Sequence, residues 1–185
     1  VSADLTATLN ALSDATCSCD STPVNLASAE LPERPNGPIN LNTLAALIAR
    51  SIPENAIIVD ESVTTGRAFF PATKGAAKHT WLNNCGGSIG YCLPAAIGAC
   101  ISANKPVIGI TGDGSFQLNI QELQTVKHYN LPVKLFVWNN NGYLSIRATQ
   151  DKFFDGRRIG TDSASGVSFP EVEKISYAYD LPYVK

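Results

Sequence analysis

Apolar residues fall into short blocks whose spacing changes along the chain. Leu5, Leu9 and Leu12 recur at helical spacing behind Ser2 and predict a short amphipathic helix. Pro23, Pro32, Pro35, Pro38 and the turn dipeptide Asn36-Gly37 then predict a surface linker from about Asp20 to Asn40. Beyond it, Leu41, Leu44, Ala45, Leu47 and Ile48 fit a helix capped by Asn40, and Ala56 to Val59 reads as a buried strand ending at Asp60. A helix from about Thr65 to Ala72, a short strand around Trp81 and a glycine turn at Gly86-Gly87 follow. Next comes an alanine-rich helix from about Leu93 to Ala103. Pro106 to Thr111 and Val133 to Trp138 are apolar strand-like runs, separated by a helix over Asn119 to Tyr129 with Ile120, Leu123 and Val126 on one face. Ser168 and Glu171 read as a capping box for a last helix to about Tyr179, and Leu181 to Val184 begins what reads as another strand. Strands with so little polar alternation suit a parallel sheet covered by helices.

The domain organisation expected from this pattern is a tail of a preceding domain over residues 1–19, a linker over 20–40, and an α/β domain over 41–185 truncated at its C-terminus. The chain has 185 residues, contains no methionine and starts at Val1, so it is expected to be a piece of something longer.

Charged residues make up only 16% of the chain, below the roughly 25% usual for a soluble domain, which suggests that much of its surface faces another domain or subunit. With a net charge of -2 and no basic block beyond Arg157-Arg158, the electrostatic footprint for nucleic acid is missing. The longest nearly apolar run, Tyr91 to Ala103, has 13 residues against the roughly 20 that span a bilayer, so no membrane partner is expected. The five cysteines, at 17, 19, 85, 92 and 100, fit neither a zinc pattern nor a disulfide framework. Reduced thiols in a cytoplasm are the simpler expectation.

The most informative stretch is Gly112-Asp113-Gly114-Ser115, followed 26 and 27 residues after the aspartate by Asn139 and Asn140. Both ends follow predicted strands, and the interval equals one right-handed crossover between parallel strands. Asp113 and Asn140 would therefore emerge at one carboxyl edge of the sheet, where open α/β sheets bind ligands. A carboxylate and an amide oxygen are hard ligands suited to Mg2+, which completes its shell with phosphate oxygens and water. Gly112 and Gly114 let backbone approach a ligand, and Ser115 offers a hydroxyl and an amide to phosphate. The following helix, with Asn119 and Glu122 as its capping pair, would favour an anion at its amino end. Either segment alone is also ordinary turn chemistry. Their joint spacing is what favours a magnesium diphosphate clamp.

The segment GDGSFQLNIQELQTVKHYNLPVKLFVWNN resembles the thiamine-diphosphate motif, and its surroundings resemble the acetolactate synthase and benzoylformate decarboxylase group of thiamine-diphosphate enzymes. The resemblance covers roughly Leu41 to the end as the diphosphate-binding (PP) domain. Residues 1–40 resemble the tail of that group's central domain and its linker. It implies a doubly wound, mostly parallel sheet with helices on both faces. It implies Asp113 and Asn140 as side-chain Mg2+ ligands and the Gly142 carbonyl as a third, with Gly114, Ser115 and the Tyr143 amide on the diphosphate. Thr64 and Thr65 match a loop that touches the diphosphate, although two threonines opening a helix is an equal reading.

Gly86-Gly87-Ser88-Ile89-Gly90 before a helix reads alone as a dinucleotide turn, but that leaves Asp113 and Asn140 unexplained. By resemblance it is the turn that holds the aminopyrimidine: the Gly87 carbonyl takes the 4′-amino group, Ser88 lies between, and Ile89 forms the apolar wedge. The implied activity is decarboxylation of a small 2-oxo acid, with or without ligation of the product to an acceptor. The activating glutamate is expected from a pyrimidine-binding (PYR) domain of the same or another subunit, in a homodimer or homotetramer. Nothing points to FAD, which the missing central domain could hold. Glu61 reads as a loop residue and Glu122 as a helix cap, so no catalytic residue is assigned within this chain, and alone it is expected to be inactive. His79 and His128 read as structural, and Arg157-Arg158 as a solvated pair rather than an anion site. In acetolactate synthases the stretch after the Asn pair ends in a VRQWQ-like motif. Thr149 stands here where that motif has tryptophan, which counts against strict acetohydroxyacid synthesis. The rival readings are a separate PP subunit and a non-catalytic cofactor- or phosphate-binding module.

Overall fold

The computed structural model describes residues 41–53, 55–61, 69, 80–84 and 86–185. The expected first helix and linker, the helix over 65–72, and Cys17, Cys19, Thr64, Thr65, His79 and Cys85 lie outside the described residues.

Helix α1 (Leu41–Ser51) leads to strand β1 (Ile57–Asp60) and, after an interval, to β2 (Thr80–Asn83). Helix α2 (Cys92–Ala103) and β3 (Val107–Gly112) follow, then α3 (Asp113–Gln117), a 3-10 turn (Ile120–Glu122) and α4 (Leu123–His128). The chain continues through β4 (Val133–Trp138), α5 (Leu144–Phe153), a second 3-10 turn (Ser163–Ser165) and α6 (Val172–Ala178).

The described strands form one parallel sheet in the order β2-β1-β3-β4. Alternating strand residues bury against different helices, as the period of two requires. Ile58, Ile108 and Ile110 pack with Ala45 and Ile48 of α1 and with Phe69. Ile57, Val59 and Val107 pack with Cys92, Ala96 and Cys100 of α2. Both faces of β1 and β3 are thus covered, which is the doubly wound arrangement expected, whereas β4, expected to be covered on both faces too, leaves Lys134 and Phe136 exposed. A third cluster joins Leu93 and Ile97 of α2 to Phe116, Leu123, Val126 and Ile175. No described helix is long and apolar enough to cross a membrane.

Because β2 and β3 flank β1, the chain leaves the β1/β3 boundary in opposite directions, and the carboxyl ends of both strands open at this switch point. Asp60 and Glu61 end β1 there, and Asp113 follows β3. Gly112 pairs in register with Trp138, so Asp113 and Asn139-Asn140 leave adjacent strands at the same edge.

Four local expectations are corrected. The helix after β3 begins at Asp113, and Asn119 and Glu122 do not form a capping pair. Instead the Asn119 amide donates to the Gly90 carbonyl at 2.8 Å, and Glu122 accepts from the Thr125 hydroxyl at 2.9 Å. Ser168 and Glu171 form no capping box: Glu171 is itself the N-cap of α6, with no side-chain cap bond, and the box lies earlier, between Asp162 and Ser165. Residues 181–184 form no strand, although Leu181 packs against the third cluster. Helix α5, absent from the sequence reading, has no buried residue and therefore little apolar periodicity to betray it.

Candidate functional site

Asp113 is buried, and both of its carboxylate oxygens are engaged by backbone. Oδ1 accepts the Gly114 amide at 2.9 Å and Oδ2 accepts the Gly142 amide at 3.0 Å. The second bond ties the end of β3 to the loop 139–142 after β4. Asn139 turns that loop by accepting the Asn141 amide at 3.0 Å. Asn141 and Gly142 then take φ of 56° and 145°, the left-handed region in which glycine is at ease. A Cβ on Gly142 would lie 2.0 Å from the Thr161 carbonyl oxygen, which accepts the Tyr143 amide at 2.9 Å.

Gly114 allows a second close approach, since a Cβ there would meet the Tyr143 ring at 2.5 Å. That ring also packs edge-on against Phe169, with centroids 5.4 Å apart. Asp113, Gly114, Gly142 and Tyr143 are therefore assembled as one unit. Ser115 is half-buried in the first turn of α3. Asn140 is half-buried, and its side-chain oxygen accepts from Arg147 Nη2 at 3.2 Å.

The glycine turn 86–90 lies before α2. Gly87 has φ of 65°, and the Asn84 side chain closes the turn by accepting the Ser88 amide at 2.7 Å and donating to its carbonyl at 3.1 Å. Ile89 is 47% exposed, an unusual state for a large aliphatic side chain held in a tight turn. Gly90 joins this turn to the segment after α3 through the Asn119 bond.

Glu61, read from sequence as a loop residue, is buried. One carboxylate oxygen accepts the Cys92 amide at 2.7 Å, at the start of α2, and the other accepts a short hydrogen bond from the Thr111 hydroxyl. It thereby links the helix behind the glycine turn to the strand that delivers Asp113. Burial, then the nearby charges of Glu61 and Asp60, push the Cys92 thiol well above its ordinary value. An acid directly after an apolar strand was the available clue to Glu61.

Arg158 is no anion receptor. It grips Asp151 through two bonds of 2.9 and 2.8 Å and reaches Asp162 at 3.4 Å. The Arg158 bond holds the Asp151 carboxyl below its usual range, while Ser165 is the main cause of the same shift at Asp162. His128 stacks edge-on against Tyr129 with centroids 4.7 Å apart, away from these groups in sequence and element. Among the described residues no cluster of three or more His, Cys, Asp and Glu side chains is placed to hold a metal. A metal at this edge would therefore depend on mixed ligands, one carboxylate with amide and carbonyl oxygens.

Residues 62–184 match the family described as thiamine pyrophosphate enzyme, C-terminal TPP binding domain. The chain is 34% identical to acetolactate synthase 1, chloroplastic, of Nicotiana tabacum, over 78% of this chain and 24% of that protein. It is 42% identical to the acetolactate synthase large subunit of Cyanidium caldarium, over 55% of this chain and 17% of that protein. Among solved structures, the thiamine diphosphate-dependent 4-hydroxybenzoylformate decarboxylase of Rhodococcus jostii RHA1 superposes with a TM-score of 0.70 at 27% identity, covering 94% of this chain and 32% of that one. The chain thus spans a quarter or less of the length of these two curated relatives.

Proposed function

The chain belongs to the thiamine pyrophosphate enzymes as their C-terminal TPP-binding domain, and on that footing we propose that it is the PP domain of a Mg2+-dependent enzyme that decarboxylates a small 2-oxo acid, with or without ligation of the product to an acceptor. The observation that carries this reading is the Asp113 carboxylate bridging to the Gly142 amide, which brings hard-oxygen donors together at the carboxyl ends of the neighbouring strands β3 and β4. That set fits Mg2+: the Asp113 carboxylate, the Asn140 side-chain oxygen and the Gly142 carbonyl are all hard ligands. Ser115, with Thr64 and Thr65, would hold the diphosphate, whereas the Gly114 and Tyr143 amides expected there from sequence donate instead to Asp113 Oδ1 and to the Thr161 carbonyl, each at 2.9 Å. The Gly87 carbonyl, Ser88 and Ile89 would hold the aminopyrimidine.

When bound, thiamine diphosphate supplies an electron sink for the pair left behind as CO2 departs from a 2-oxo acid. The residues of this chain bind and orient. Asp113 adds its charge and is kept from turning by two backbone amides. The amide of Ser115 lies in the first turn of α3, whose amino end favours an anion. Exposed Ile89 offers an apolar surface against which a heteroaromatic ring can be bent.

No group here is assigned the proton transfer, which falls to a glutamate of a PYR domain in the same or another subunit. The full protein is accordingly a homodimer or homotetramer. Exposed Ile146, Phe153, Phe154 and Ile159 on and after α5 support a surface that another domain covers. Thr149, whose hydroxyl donates back to the Ser145 carbonyl at 3.0 Å, presents no bulky ring to an acceptor. This favours an acceptor pocket unlike that of a strict acetohydroxyacid synthase.

The test is calorimetric titration of thiamine diphosphate, with Mg2+ and with EDTA, into the full-length protein and its Asp113→Ala variant. Mg2+-dependent binding that disappears in the variant is expected, followed by turnover in a screen of 2-oxo acids. Absence of binding by the full-length wild type overturns the proposal. Turnover by the isolated 185-residue chain would contradict the assignment of the activating glutamate elsewhere.

A further inference from the structure

We propose that Arg147 is a positioning residue for the metal loop 139–142, holding the Asn140 side-chain oxygen so that a divalent cation meets ligands already arranged. The inference rests on the Mg2+ site proposed above and concerns how its second side-chain ligand is kept in place.

Arg147 lies in the first turn of α5, immediately after the loop, and its amide donates to the Tyr143 carbonyl at 2.9 Å. Side chains lean towards the amino end of their helix, so the guanidinium reaches back over the loop. Nη2 donates to the Asn140 carbonyl at 3.0 Å and to its side-chain oxygen at 3.2 Å, while Nη1 donates to the Asn141 carbonyl at 3.1 Å. Three acceptors on two successive residues are thus gathered by one planar fork. Arginine can only donate, so the contact dictates which end of the Asn140 amide faces it. The amide oxygen keeps a second lone pair for a cation.

The loop needs such a clamp. Asn141 and Gly142 both hold positive φ, a region that a residue with a side chain, such as Asn141, occupies only sparsely unless its surroundings keep it there. Asp113 and Thr161 hold its Gly142-Tyr143 end, and Arg147 holds its Asn140-Asn141 end. Arg147 is itself backed by Asp162 at 4.0 Å, with side chains only 14% and 17% exposed. Asp162 is in turn held by Arg158 and Ser165. The positive charge of Arg147 opposes a nearby cation, so its contribution must come from geometry. That separates the roles of fork and charge: lysine keeps the charge and loses the fork, whereas glutamine loses both.

The experiment titrates Mg2+ into the full-length protein at a fixed excess of thiamine diphosphate, with calorimetric detection of cofactor binding, for wild type, Arg147→Lys and Arg147→Gln. Circular dichroism and melting without metal establish that each variant folds, and either folded variant alone suffices. Direct Mn2+ binding by electron paramagnetic resonance provides a readout independent of activity. Half-saturating Mg2+ should rise about tenfold or more in both variants, the loss typical when a group orienting a metal ligand is removed. A purely structural role would lower the metal-free melting temperature and leave that midpoint alone. Midpoints within twofold of wild type overturn the proposal, and so does tighter binding by Arg147→Gln, which would mean that charge outweighs the fork. A wild type that binds thiamine diphosphate equally well in EDTA refutes the metal site itself, and this inference with it.

Discussion

The Asp113 carboxylate accepts the Gly142 amide at 3.0 Å across 29 residues of sequence. One hydrogen bond to a charged, buried acceptor therefore closes the βαβ crossover at the edge where ligands bind. Bonds of this kind contribute about 1.5–3 kcal/mol, roughly twice a neutral pair. That bond fixes the Asn141–Gly142 peptide plane, whereas the Gly142 carbonyl proposed for the metal lies in the next plane, which the Tyr143 amide fixes by donating to the Thr161 carbonyl at 2.9 Å.

Two glycines near this bond should respond very differently to alanine. Gly142→Ala places a methyl 2.0 Å from the Thr161 carbonyl in a backbone at φ 145°. The conformation alone costs about 1–3 kcal/mol, and the clash adds to it. Gly112→Ala meets nothing within 4 Å at an ordinary φ of -91°, and should cost less than about 1 kcal/mol. Scanning calorimetry of the two variants checks the contrast. Equal losses would show that the loop is not packed on Thr161 as described.

Replacing Glu61 should follow hydrogen-bonding capacity rather than charge. In Glu61→Gln the amide oxygen can still accept the Cys92 amide, and the amide nitrogen can donate to a reoriented Thr111 hydroxyl. Glu61→Ala instead leaves the buried Cys92 amide unmet and the Thr111 hydroxyl with only the Gly112 carbonyl at 3.3 Å. The glutamine variant should lose about 1 kcal/mol and the alanine variant about 2–4 kcal/mol, measured by denaturant unfolding. A glutamine variant as damaged as alanine would mean that the negative charge itself is required.

Cys92 should stay protonated and unreactive in the folded protein. Its Sγ contacts the Val59 carbonyl at 3.5 Å, and burial with two neighbouring acids raises its pKa well above the ordinary thiol value. Because the folded pKa is the higher one, its contribution to stability is full below about pH 8.5, the unfolded value, and is lost as pH climbs from there through the folded value. Mass-spectrometric mapping of iodoacetamide labelling at pH 8 should find Cys92 unmodified in the native protein and modified in urea. Native labelling would contradict the burial described.

The apolar runs before Asp60 and Asp113 marked two strands from sequence alone, because a strand buried on both faces needs continuous β-branched and aliphatic residues, and the run before Asn139 marked a third, although β4 alternates and leaves Lys134 and Phe136 exposed. The crossover spacing likewise put Asp113 and Asn139-Asn140 at one edge, since a right-handed connection between parallel strands admits little else. Thr64 and Thr65 belong to the same reading but lie outside the described residues. What failed was local capping: Asn119 turned to the Gly90 carbonyl and Asp162 took the box expected at Ser168, because several acceptors compete for each such side chain and only packing decides among them.

Glu61 and Arg147 were visible as letters without roles. Their partners, Cys92 and Thr111 for the one, Asn140 and Asn141 for the other, are chosen by how α2, β3 and α5 approach the sheet edge. Periodicity and spacing are properties of neighbouring residues, so the chain order determined the strands, the crossover and the chemical kinds of donor at the sheet edge. The clamps that hold those donors join residues whose proximity arises only when the layers pack, and the tertiary structure alone decided them.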